Sequence, residues 1–145
     1  MAAYGWSQGT SVAQGLFGEG HRFDFYQAVR ILEMMTPERA GVGIQDDPER
    51  EVVRFSSRVR MDYPATDVDS VAAPRRHGDV PVMKVNFLSL AGALGPLPNR
   101  LSEVLLERLS KKDEALRDFL DIFNHRLISL MYRARKKVRI SLQDR

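Results

Sequence analysis

The longest coherent pattern of apolar and polar positions lies near the C-terminus, in KDEALRDFLDIFNHRLISLMYRARKKVR from Lys112 to Arg139. Leu116, Phe119, Leu120, Phe123, Leu127, Leu130, Met131, Ala134 and Val138 recur there at steps of three and four. That spacing places them on one face of a helix. Asp113 can cap its start by accepting backbone N–H groups that have no partner inside the helix. Glu114 then sits at the positive end of the helix dipole, and Arg135, Lys136, Lys137 and Arg139 at the negative end. Ala115, Ile122, Ile128 and Tyr132 widen the stripe beyond what a small sheet can cover. Either the chain folds back over this helix or another subunit does.

Upstream, Asp24 opens a helix to about Met35, with Gln27 placed as in a capping box and Phe23 positioned to pack over Ala28. Phe25, Ala28, Val29, Leu32 and Ile31 form its buried face, and Pro37, Gly41 and Gly43 end it. From Val52 to Met61 the period changes to two. Val53, Phe55, Ser57, Val59 and Met61 point one way, and Arg54, Ser56, Arg58 and Arg60 the other. The arginine-rich side reads as a solvated strand face or as a contact to an acidic neighbour. Tyr63 to Val80, with Pro64, Pro74 and Gly78, reads as a long connection. A second strand follows from Pro81 or Val82 to about Leu90, expected to pair antiparallel with the first. Leu90 to Pro98 is rich in turn residues. Asn99 or Ser102 then caps a short helix to Leu109, with Leu101, Val104, Leu105 and Leu109 apolar.

Residues 1–20, with glycines among Ser, Gln and Thr, read as a flexible arm carrying Trp6, Leu16 and Phe17 as anchors. The expected class is therefore α+β: an N-terminal helix, an antiparallel strand pair and two C-terminal helices, one of them long and amphipathic.

Composition adds exclusions. The 145 residues suit one domain, and 43% hydrophobic with 28% charged residues is ordinary for a globular protein. The chain has no cysteine, which excludes disulfides and thiolate metal sites. No apolar run approaches the roughly 20 residues that span a bilayer, and the N-terminus lacks a signal-peptide pattern. The reading is a cytoplasmic protein without direct membrane insertion. The net charge of +3 is unevenly spread, with no acidic residue from Ile122 to Gln143. Arg126, Arg133 and Arg135 are thus candidates to meet acids on a neighbour. The plainer reading is a solvated helix end.

Candidate chemistry is sparse. Asp118, Asp121 and His125 share roughly one helix face and could form half of a metal site, to which His21 or His77 would have to add. The plainer reading is a polar helix face in which Asp121 orients His125, or a histidine bonded to nearby backbone. Gly92 and Gly95 are followed by no Lys-Ser/Thr, so there is no P-loop. No GxSxG or HExxH motif occurs. No catalytic residue, cofactor or metal is expected, and the chain reads as no enzyme. A small nucleic-acid-binding module using the basic helix end is the alternative function.

Four blocks in order carry a family resemblance. They are Arg22-Phe23-Asp24-Phe25-Tyr26-Gln27-Ala28-Val29-Arg30-Ile31-Leu32-Glu33; Val52-Val53-Arg54-Phe55; Val85-Asn86-Phe87-Leu88-Ser89-Leu90-Ala91-Gly92 leading to Gly95-Pro96-Leu97-Pro98; and Asp118-Phe119-Leu120-Asp121-Ile122-Phe123-Asn124-His125-Arg126-Leu127 with Tyr132-Arg133. The chain resembles the type VI secretion baseplate subunit TssG, also called the VasB or ImpH family. The resemblance implies a structural, non-enzymatic wedge subunit that joins two copies of TssF and helps dock TssE and TssK beneath the sheath. It implies a location at the cytoplasmic side of the inner membrane, and neither a cofactor nor nucleic acid. Family members are usually longer. Residues 21–140 are accordingly expected to be a TssG-like N-terminal domain, with 141–145 a tail, and the readings open for the chain are a fragment, a truncated copy or a shortened relative. Within it, Phe119, Leu120, Phe123, Leu127, Leu130 and Met131 are the expected packing contacts to partners, and Arg126, Arg133 and Arg135 the charged ones.

Overall fold

Asp24 acts as its position predicts. Its Oδ1 accepts the backbone N–H of Tyr26 at 3.0 Å and of Gln27 at 3.3 Å, starting helix α2 at Phe25–Met35. The computed structural model describes residues 8–139. Before α2 comes helix α1, Gln8–Gly18, followed by a single 3-10 turn at Gly20–Arg22. After it come strands β1 (Arg54–Ser57), β2 (Val68–Ala72) and β3 (Val82–Val85), then helices α3 (Asn99–Ser110) and α4 (Ala115–Val138). The class is α+β, with a three-stranded mixed sheet and helices around it.

Part of the expected flexible arm is helix. Residues 8–18 form α1, and Leu16 is wholly buried in the main core with Phe17 packed against it. Glycine content favoured a loop, but burial of one apolar side of the segment outweighs the propensity cost of about 1 kcal/mol per glycine. Trp6 and the tail 141–145 lie outside the described residues.

The sheet runs in the order β1-β3-β2. It contains an antiparallel pair, formed by β2 and β3. The two alternating segments read from the sequence, β1 and β3, instead lie side by side in parallel, with Arg54 opposite Val82 and Ser57 opposite Val85. The physical reason is β2, which sits inside the stretch read as a long connection. The chain leaves β1, runs back as β2, and returns as β3 between the two. Asn86, just after β3, donates its Nδ2–H to the Thr66 carbonyl at 3.0 Å and so ties the end of β3 to the approach to β2.

The main core gathers on Phe25. Its ring lies 4.8 Å from Phe87, 5.6 Å from Phe55 and 6.2 Å from Tyr132, all tilted or edge-on. Val29, Leu32, Val53, Val71, Met83 and Val85 fill the space around it. A second, smaller cluster joins Ala91 and Leu105 to Leu120 of α4. Its loop depends on Gly92, whose φ of +96° and close approach to the Arg60 carbonyl leave no room for a side chain. The Gly92 N–H is bonded to buried Ser102 Oγ at 2.8 Å.

Candidate protein–protein interface on the long helix

Helix α4 meets the rest of the chain through its less apolar side. Turning about 100° per residue, Asp121, Asn124, His125, Ile128 and Tyr132 fall on one arc, and all are buried. Ile128 and Tyr132 complete the main core. The others face the edge of β1 that β3 does not pair. Arg54 and Arg58 donate their N–H groups toward the β3 side, to Pro81 O at 2.9 Å and Val85 O at 3.0 Å. Phe55 and Ser57, the alternate residues, point theirs the opposite way. The Phe55 N–H is bonded to His125 Nδ1 at 3.0 Å, and the Ser57 N–H to Asp121 Oδ1 at 3.1 Å. Two residues of strand advance about 6.6 Å, and four residues of helix about 6 Å, so an i, i+4 pair can serve alternate strand amides. Asp121 also accepts from Ser56 Oγ at 2.5 Å and from Asn124 Nδ2 at 3.1 Å, while Asn124 Oδ1 accepts the Leu90 N–H at 3.1 Å.

Asp121 and His125 therefore close a sheet edge that would otherwise present bare amides. The plainer of the two sequence readings, a histidine bonded to neighbouring backbone, is the arrangement found. With Nδ1 accepting, the ring proton sits on Nε2, which lies 3.3 Å from Oε2 of fully buried Glu51. That oxygen has no well-aligned hydrogen bond, so the contact is electrostatic rather than directional. Among the described residues no three His, Asp or Glu side chains converge on a metal position. Nor is any described helix long and apolar enough to cross a membrane.

The opposite arc of α4 is left uncovered by the described chain. Phe119 is 56% exposed, Phe123 49%, Leu127 42% and Leu130 45%, with Ile122 beside them. Phe119 and Phe123 touch each other edge-on at 5.5 Å. Two of the six packing candidates are different. Leu120 is buried in the second cluster, and Met131 packs partly buried against the main core. Their positions on the helix turn them toward the chain's own layers, so the outer stripe is narrower than the sequence suggested.

The charged candidates also divide. Arg135 lies with its guanidinium 4.3 Å from the centre of the Tyr26 ring, and Arg133 donates to the Gly43 carbonyl at 2.9 Å. Lys136 approaches Glu33 at 3.6 Å. Arg126 is exposed and forms no ion pair or side-chain hydrogen bond among the described residues. Of the arginines on β1 and just beyond it, Arg58 pairs with Asp69 and Arg60 with Asp62, which leaves Arg54 on the open sheet face. That face floors a groove of about 550 Å³, where Arg54, Arg75 and Lys84 alternate with Glu49, Asp79 and Asp118. With both signs present it selects no ligand charge.

The role missed in the sequence was that of Asp121 and His125 as substitutes for a neighbouring strand. A signal existed. Asp121, Asn124, His125 and Ser129 form a polar row opposite the apolar stripe, and such a row in a long helix needs backbone partners if buried.

No curated protein and no solved structure matches the chain. A family model described as "Type VI secretion, TssG" matches residues 19–145, and the chain belongs to that family of type VI secretion baseplate subunits.

Proposed function

We propose that the protein is a non-enzymatic wedge subunit that joins TssF copies, two per wedge, and helps dock TssE and TssK while the contractile apparatus assembles. Its place is the cytoplasmic side of the inner membrane, and residues 21–140 act as its N-terminal assembly domain. One observation carries this reading. Helix α4 docks through hydrogen-bonding side chains together with Leu120, Ile128 and Tyr132, and holds Phe119, Phe123, Leu127 and Leu130 outward. A row of Phe119, Phe123, Leu127 and Leu130 in water is unfavourable at roughly 25 cal/mol per Å² of apolar surface, and covering it drives association. Family membership is the second support.

The experiment is co-purification of the tagged chain with TssF, with and without Phe123→Asp. The native chain is expected to retain TssF, and the folded variant to lose most of it. Full retention by a folded Phe123→Asp chain would remove α4 from the interface. Failure of the native chain to retain TssF would remove the proposed role.

A further inference from the structure

The outer face of α4 carries a register as well as an apolar surface. Leu116, Leu120, Phe123, Leu127, Leu130 and Ala134 alternate in steps of four and three, the repeat of a coiled-coil seam. The N-terminal end of this seam is taken up by the second cluster, where Leu116 and Leu120 pack. From Phe123 onward it is open. In that register Arg126 and Arg133 are one heptad apart, both immediately before a seam residue, where interhelical ion pairs form. The other flank holds Asn124 and Met131, which face the chain's own core. The free flank therefore carries two cations, Arg126 with no ion pair or side-chain hydrogen bond among the described residues and Arg133 with one N–H given to the Gly43 carbonyl, and α4 offers it no carboxylate from Ile122 to Val138.

From this we infer that the outer face of α4 seats an amphipathic helix of a different protein, one with a heptad apolar seam and carboxylates a heptad apart facing Arg126 and Arg133. The inference rests on the assembly role proposed above and names the chemistry of the partner surface. A second copy of this chain does not fit. In an antiparallel pair centred on the open seam, Arg126 faces Arg133 of the other copy. In a parallel pair the flank facing it is Met131, already packed inward. Neither arrangement supplies an acid, and the first sets like charges together.

Two synthetic helical peptides of about three heptads provide the test, both with Leu in the seam and with either Glu or Lys at every flanking position. Binding to the full chain is followed by fluorescence anisotropy at low and high salt, and self-association by light scattering. The Glu peptide is expected to bind about tenfold or more tightly than the Lys peptide, with the gap narrowing as salt is added. The double variant Arg126→Glu/Arg133→Glu should reverse the order. Leu127→Asp should abolish binding of both while the circular dichroism spectrum stays native. Equal binding of the two peptides, no binding of either, an unreversed preference in the charge variant, or a dimer of the chain alone would overturn the inference. If Phe123→Asp releases TssF while the peptides show no charge preference, the assembly role stands and this inference falls.

Discussion

The Phe55 amide and the His125 ring nitrogen Nδ1 are 70 residues apart in sequence and 3.0 Å apart in the fold. This bond and its neighbour from Ser57 to Asp121 turn a helix into the third layer of hydrogen bonding beside β1. The helix is thereby held without its most apolar side. That division between a hydrogen-bonded docking face and a half-exposed apolar outer face underlies the expected behaviour of the α4 variants below.

Replacing His125 by Ala removes the acceptor and leaves the Phe55 N–H buried without a partner. The expected loss is about 1–3 kcal/mol from the stranded amide, with a further contribution from the lost ring contact at 5.6 Å to Phe55. Asp121→Ala strands the Ser57 amide and is expected to cost a similar amount. Because both side chains hold the same strand edge, the double variant should depart from additivity by about 0.5–3 kcal/mol. Urea denaturation of the four proteins measures this, and strict additivity would show that the two bonds are independent.

Stability and assembly should separate along the circumference of α4. Phe123→Asp and Leu127→Asp alter half-exposed side chains, and each is expected to shift stability by no more than about 0.5 kcal/mol. Ile128→Ala, one position further round, empties part of the core and should cost about 2–5 kcal/mol. Thermal melts beside TssF retention distinguish the two classes. A large loss of stability in Phe123→Asp would mean that the outer stripe is covered by its own chain.

Gly92 and Gly78 have nearly the same backbone angle, with φ of +96° and +97°, but different surroundings. An Ala at 92 would bring its Cβ to 2.6 Å from the Arg60 carbonyl oxygen, whereas at 78 nothing lies within 4 Å. Gly78→Ala is expected to cost about 1 kcal/mol from backbone strain alone. Gly92→Ala should cost clearly more, about 2–4 kcal/mol, because two backbone segments must part. Equal losses would mean that the loop shifts freely.

Arg60 donates to both carboxylate oxygens of Asp62, at 2.8 and 2.5 Å, and this holds the Asp62 carboxyl below its ordinary range. A lowered folded-state value means that the stabilising contribution is present above the unfolded carboxylate's pKa. It disappears as pH falls through the folded one. An Arg60→Gln variant should therefore show Asp62 titrating closer to its ordinary value in carbon-detected NMR, and a smaller change in stability across the acidic limb. An unchanged Asp62 titration would show that the pair does not persist in solution.

Local rules were enough for the two best-marked helices. Asp24 and its apolar face specify α2, and the long periodic run specifies α4, because capping and 3.6-residue spacing are properties of neighbours in sequence. The α+β class and the family blocks were legible in the same way. The pairing of β1 with β3 was not, since alternation identifies a half-buried strand without saying which strand lies beside it or in which direction. Nor was α1, whose helix depends on burying Leu16 under elements far along the chain. Above all, a stripe of apolar residues identifies a face without saying whether the molecule turns that face inward. Only the tertiary structure decided it. The bare amides of Phe55 and Ser57 needed acceptors, Asp121 and His125 supplied them at matching spacing, and rotating α4 to make those bonds placed Phe119, Phe123, Leu127 and Leu130 outside.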